Sequence, residues 1–124
     1  MPITIQKDPS RDLTVFTCKG DLSFSEITVA MKRFYEGIDA PPTKKVLWDL
    51  MEASTGSLLP DQLNQIANLS LENEDVMKGG KTAVVAPQDI EFGLARTFEA
   101  YTAGEQRDLM VFRTHEEAIE WIEE

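Results

Sequence analysis

One cysteine, Cys18, is all the thiol this chain holds, and one histidine, His115, is all its imidazole. No intrachain disulfide can form, which suits a reducing compartment. Nor is there a Cys/His cluster for zinc. Long apolar runs are missing as well, and none approaches the roughly 20 residues that a membrane span needs. The stretch Met1-Pro2-Ile3-Thr4-Ile5-Gln6-Lys7 lacks the basic region and apolar core of a signal peptide. A cytoplasmic location is the expectation. Basic charge is scarce too: Lys and Arg total 12 against 22 Asp and Glu, a formal net charge of -10. DNA, RNA and anionic membranes are repelled by such an average surface. The basic groupings Lys44-Lys45 and Lys78/Lys81 are too short to track a phosphate backbone. No nucleic-acid partner and no membrane insertion are expected.

What is present fits one globular unit. A length of 124 residues suits a single domain over 1–124 with a real core. A 42% hydrophobic and 27% charged composition is ordinary for a folded protein.

Turn residues punctuate the chain evenly. Asp8-Pro9-Ser10-Arg11-Asp12 reads as a turn between two β-rich runs, Ile3-Thr4-Ile5 and 13–18. In the second run Leu13, Val15 and Thr17 face one side, and Phe16 and Cys18 the other. The two runs are expected to pair as a hairpin. Gly20-Asp21-Leu22 ends the second strand. Ser23 and Glu26 then have capping-box spacing, and Ile27, Ala30, Met31, Phe34 and Ile38 follow as a helical stripe that Gly37 and Pro41-Pro42 close. Val46-Leu47-Trp48-Asp49-Leu50 reads as a strand covered on both faces, and 51–58 as a loop.

Pro60 suits the first turn of a second helix, whose inner stripe is Leu59, Leu63, Ile66 and Ala67. Thr82-Ala83-Val84-Val85-Ala86 is the fourth strand, stopped by Pro87. Asp89 is the expected cap of a third helix, with Ile90, Leu94, Ala95, Phe98 and Tyr101 on its core face. Gly93 inside it suggests a close approach to a neighbour. Leu109-Met110-Val111-Phe112 is the fifth strand. Thr114 and Glu117 form a second capping-box pair, opening a last helix with Ala118, Ile119 and Ile122 inside. The order ββαβαβαβα predicts an α/β fold: a five-stranded, mostly parallel sheet with an antiparallel N-terminal edge strand and four helices.

Chemistry-bearing groups are few. His115 sits at a helix start between a cap and two glutamates, where a solvated imidazole is the plain reading. Cys18 sits at a strand end, and only Lys19 offers it positive charge, so a buried, inert thiol is expected. Gly79-Gly80 precedes a strand rather than a helix, the wrong way round for a phosphate cradle. Asp49 and Glu52 lie at the carboxyl end of the third strand, with Asp61 near, where open sheets bind ligands. A general-base role for either of the first two is the enzyme reading, set against solvated carboxylates. Ser54-Thr55-Gly56-Ser57 is the one place where small hydroxyl residues gather before a helix, and it is the leading candidate interaction loop, although loops favour these residues for local reasons too. No catalytic residue, cofactor or metal is expected.

Three stretches carry a family resemblance: Lys45-Val46-Leu47-Trp48-Asp49 before the Ser/Thr-Gly loop, Thr82-Ala83-Val84-Val85-Ala86 with the helix after it, and Leu109-Met110-Val111-Phe112-Arg113-Thr114-His115-Glu116-Glu117-Ala118-Ile119-Glu120-Trp121-Ile122. In these the chain resembles the STAS superfamily, and within it the small stand-alone SpoIIAA-like bacterial proteins. The resemblance implies a compact sheet with helices largely on one side, and a sheet face or edge open to a protein partner or a second copy. In anti-sigma-factor antagonists an Asp-Ser-Ser-Gly motif opens the helix after the third strand, and one serine is phosphorylated. The matching stretch here is Ala53-Ser54-Thr55-Gly56, with Ala53 in place of Asp and Thr55 in the phosphoacceptor place.

The resemblance thus implies a non-catalytic regulatory or protein-interaction module. The alternative is a small apolar-ligand or lipid-binding domain. Phe24, Trp48 and Phe92 would line its cleft, in a chain short for a lipid cavity of several hundred Å³.

Overall fold

β1 (Ile3–Asp8) and β2 (Leu13–Asp21) pair antiparallel, from Ile3 against Cys18 to Asp8 against Leu13. The computed structural model describes residues 2–124. A short 3-10 turn, Pro9–Arg11, makes the connection, and Asp12 closes it in the left-handed region at φ 52°. β3 (Lys45–Ser54), β4 (Lys81–Val85) and β5 (Asp108–Phe112) follow in parallel, so the sheet runs β1-β2-β3-β4-β5 in chain order. Among the described residues the helices are α1 (Phe24–Glu36), α2 (Pro60–Glu72), α3 (Asp89–Tyr101) and α4 (His115–Ile122), with a further 3-10 turn at Glu74–Met77. The expected α/β order and the antiparallel edge strand are both present.

The strand order decides which face each helix covers. Each crossover from β2 to β5 steps one strand in the same direction. Right-handed connections therefore put α1, α2 and α3 on one face. Their buried Ile27, Phe34, Ile66 and Ala95 meet Phe16, Val46 and Val84 of the sheet in one core. Phe16 and Trp48 stack there with centroids 4.2 Å apart, a pairing that adds about 0.5–1.5 kcal/mol to the area they bury. No strand follows α4, which folds back over the opposite face. Its Ala118 and Ile122 pack on Leu13, Leu47, Ala83 and Val85 in a second core. Lys81 fastens the end of α4: its ammonium donates to the Trp121 carbonyl at 3.0 Å and lies 5.0 Å from the indole centroid, a cation placed where the helix dipole favours one.

The Ser23–Glu26 capping box forms with both bonds, Glu26 N–H to Ser23 Oγ at 3.1 Å and Ser23 N–H to Glu26 Oε1 at 2.9 Å. The Thr114–Glu117 pair is wired differently. Thr114 Oγ1 accepts from Glu117 N–H at 3.3 Å, but its hydroxyl, not its backbone, meets Glu117 Oε1 at 2.9 Å.

Several expectations need correction. Residues 51–54 are strand, not loop. β2 stays extended past Cys18, and Lys19, Gly20 and Asp21 pair with Glu52, Ala53 and Ser54. Between Thr17–Asp49 and Lys19–Glu52, two steps along β2 span three along β3. This extra β3 residue is a bulge, and it reverses the in–out alternation. Leu50 and Ala53 thus share one core while Met51 and Glu52 are exposed.

Ile38 lies beyond Gly37, which ends α1 at φ 66°, and is exposed. Leu59 is the exposed residue before α2 rather than part of its stripe. Gln88 holds the N-cap position of α3, and the Asp89 carboxylate instead takes Arg113 Nη1 at 2.7 Å. Ile90 and Tyr101 are exposed, and Glu91, Ala95 and Thr102 are the buried residues on that side. Gly93 is exposed as well, and a Cβ there meets nothing within 4 Å, so it marks no close approach.

Candidate functional site

The carboxyl ends of the parallel strands form a rim built from the β2–α1, β3–α2 and β4–α3 connections. The β3–α2 connection carries the hydroxyl loop. Ser54 ends β3 with an exposed side chain, and its carbonyl accepts from Leu22 N–H at 2.9 Å. Thr55 turns inward and is only 3% exposed. Its N–H and its hydroxyl both donate to Glu91 Oε2, at 2.9 and 2.8 Å. Glu91 is itself buried in the first turn of α3, where the helix dipole favours a carboxylate. Gly56 and Ser57 return to the surface, and Ser57 Oγ donates to the Leu22 carbonyl at 3.3 Å. Leu59 N–H is taken by Gln62 Oε1 at 2.9 Å, which starts α2 without help from the Leu59 side chain.

The loop is therefore held from two sides. Leu22 fixes its flanks and Glu91 fixes its centre, so Ser54 and Ser57 are exposed residues on a held base, the Ser57 hydroxyl resting on the Leu22 carbonyl. Leu59 and Ile90, 61% and 68% exposed, are the apolar residues at the two helix starts beside it.

The expected cleft carboxylates are not brought together. Asp49 Oδ1 accepts Met51 N–H at 2.9 Å, satisfying a donor that the bulge takes out of the ladder. Its Oδ2 lies 3.8 Å from His115 Nδ1, across the face that α4 covers. Glu52 is exposed on the strand, and Asp61 is exposed in the first turn of α2. No three His, Cys, Asp or Glu side chains cluster for a metal ion among the described residues. Cys18 is buried, and burial first, then the Asp49 charge, push its thiol up to about 12. A thiol that stays protonated is a poor nucleophile. Of the three aromatic residues expected in a cleft, Trp48 lines an internal cavity, while Phe24 and Phe92 pack on the edge of the core.

That cavity was not foreseen. It measures about 120 Å³ and lies between the sheet and α1, α2 and α3, lined by Phe16, Phe34, Trp48 and Phe98 among others. A polar group that sequence reasoning also missed closes part of it. Ser70 of α2 donates to Glu105 Oε1 at 3.0 Å and accepts from Arg107 Nη2 at 2.9 Å. Arg107 Nη2 and Glu105 Oε2 are 3.2 Å apart, with side chains only 5% and 1% exposed. Burial pulls the Arg107 pKa down, and the Glu105 charge works against that. Burial also raises the Tyr35 phenol, against the opposing pull of Ser70 and Arg107. No local pattern announces this group. Glu105 and Arg107 stand in a loop, two residues apart, and look like solvated charges until α1 and α2 close over them.

No family model and no curated protein matches the chain. Solved structures do. An uncharacterised protein from Shewanella loihica with a SpoIIAA-like fold aligns with TM-score 0.61 at 19% identity, covering 97% of this chain and 91% of that one. The anti-sigma factor antagonist SpoIIAA in its unphosphorylated form aligns with TM-score 0.60 at 16% identity, over 97% and 96%. The Bacillus cell fate determinant SpoIIAA in its phosphorylated form gives 0.60 and 16%, over 97% and 98%. The chain has a SpoIIAA-like fold, as the STAS resemblance implied.

Proposed function

We propose that this chain is a non-catalytic regulatory module, a single domain over 1–124 that binds another protein in the cytoplasm through the rim around Ser54, Gly56 and Ser57. The observation that carries this reading is the loop itself: two exposed serines on a base pinned by the Thr55–Glu91 bonds. Leu59 and Ile90 supply apolar area beside them. The likeness to an anti-sigma factor antagonist known in phosphorylated and unphosphorylated forms supports a regulatory role.

The same geometry favours Ser54 or Ser57 over Thr55 as a phosphoacceptor. A phosphate on either exposed serine adds about -1.5 to -2 charge in reach of solvent. On Thr55 it would have to displace the Glu91 carboxylate. The net charge of -10 favours a partner with a basic face over nucleic acid.

The test places a photo-crosslinking amino acid at position 57 and, as a control, at position 110 on the β5 edge, in cells that make the protein natively. The expected result is a discrete crosslinked protein from position 57 alone, lost when Leu59→Glu and Ile90→Glu are introduced. Identical products from both positions would remove the reading. Phosphopeptide mapping of the same material is expected to find phosphate, where there is any, on Ser54 or Ser57.

A further inference from the structure

The geometry points to the internal cavity as a binding site for a small neutral molecule with an apolar body and one hydrogen-bonding head, of the size and class of phenol. Three observations carry it. The first is size. The cavity holds about 120 Å³, close to the roughly 150 Å³ at which an apolar protein cavity takes up benzene. It is well short of the several hundred Å³ that a drug-sized ligand or long lipid fills.

The second observation is the wall. Phe16, Phe34, Trp48 and Phe98 line it with aromatic surface, which favours a flat or short apolar body.

The third is the unused hydrogen-bonding capacity along that wall. Thr82 is 6% exposed and lines the cavity, and its hydroxyl has no hydrogen-bond partner among the described residues. Arg107 also lines it. Its Nη2 is engaged by Ser70 and Glu105, while Nε and Nη1 have no partner among the described residues. No fully buried side-chain nitrogen or oxygen lacks a partner among the described residues, so these unpaired atoms keep access to the cavity, where an acceptor brought in from outside can meet them.

The charge at this wall selects the head group. Glu105 already neutralises Arg107 at 3.2 Å. An incoming carboxylate would leave a net negative charge in a buried site, which is costly. A hydroxyl or carbonyl accepts from Arg107 or Thr82 without that cost.

The chain's own methionines make the test direct. Met31 and Met77 line the cavity, whereas Met51 and Met110 are exposed. The full chain carrying ¹³C-methyl methionine is titrated separately with phenol, benzene and benzoate. Phenol is expected to shift Met31 and Met77 saturably and to leave Met51 and Met110 in place. Benzene should do the same about fivefold more weakly, the equivalent of one net hydrogen bond, and benzoate should produce no saturable shift. Ala95→Leu, which puts a larger side chain into the lining, is expected to abolish the phenol shift. Thr82→Val keeps the shape, so it should retain benzene binding and narrow the preference for phenol.

Absence of saturation with both phenol and benzene would mean a cavity that takes up water or nothing, and would overturn the proposal. So would phenol shifts that survive Ala95→Leu unchanged, or benzoate binding as tightly as phenol.

Discussion

Thr55 places both its N–H and its hydroxyl on a single oxygen of Glu91, at 2.9 and 2.8 Å, with both residues almost wholly buried. Two donors depend on one acceptor, so removing the acceptor is worse than removing one donor. Glu91→Ala is expected to cost about 2–6 kcal/mol, since it leaves two buried donors unpaired at roughly 1–3 kcal/mol for each unmet group. Glu91→Gln keeps a carbonyl oxygen in place and should cost about 1 kcal/mol. Thr55→Ser keeps both donors and loses one buried methyl, so it should cost about 0.5–1.5 kcal/mol. Urea unfolding of the three variants orders them. A Glu91→Ala midpoint equal to that of the unaltered chain would show that the bonds hold nothing together.

The same pair shows where a sequence can and cannot be read. In β2 the alternation was plain, because Leu13 and Phe16 face two different cores and each needs an apolar neighbour. The Ser23–Glu26 cap was plain because it is satisfied within four residues. The α3 stripe holds at its centre, where Leu94, Ala95 and Phe98 face the core, and fails at its two ends. Ile90 and Tyr101 are exposed there, while Glu91 and Thr102 are the ones turned inward. A glutamate reads as solvent-facing unless its partner is known, and its partner Thr55 is 36 positions away. Glu105 and Arg107 were illegible for the same reason, with Ser70 35 and 37 positions distant. The β3 bulge hid residues 51–54 by breaking the alternation that marks a strand. The hydroxyl loop itself was legible from composition, but which hydroxyl faces inward was not.

Two glycines should respond to alanine with opposite signs. Gly93 is exposed in the middle of α3, and a Cβ there meets nothing within 4 Å. Gly93→Ala therefore gains helix propensity without a clash, and stability should rise by about 0.5–1 kcal/mol. Gly80 is buried before β4, and a Cβ there would stand 2.2 Å from the Lys44 carbonyl oxygen and 3.0 Å from that of Met77. Both contacts are backbone, so neither can swing away. Gly80→Ala should lower stability by about 1–3 kcal/mol or more. Thermal melts of the two variants decide this, and shifts of the same sign would contradict the packing described.

Cys18 makes stability depend on alkaline pH in a direction that the burial dictates. Its thiol is pushed from an ordinary 9.0 up to about 12 in the folded chain. Below pH 9 both states keep the proton, so the thiol contributes no slope. Above pH 9 the unfolded chain loses the proton while the folded one retains it. The unfolded state is then favoured by up to about 1.4 kcal/mol for each pH unit. Tyr35, raised from 10.0 by burial, adds a slope of the same sign that grows in as pH approaches and passes 10. Tyr35 is common to the unaltered chain and a cysteine variant, so the difference between the two isolates the thiol. Cys18→Ala removes the titrating group and leaves a small void, which lowers stability by a constant amount at every pH. Urea unfolding at half-unit steps should therefore show the unaltered chain falling between pH 9 and 10 and the variant falling less, so that the two curves converge. Parallel curves over that interval would mean that the folded thiol ionises as easily as a free one. The same burial predicts that Ellman's reagent leaves native Cys18 unmodified at pH 8 and labels it once urea unfolds the chain.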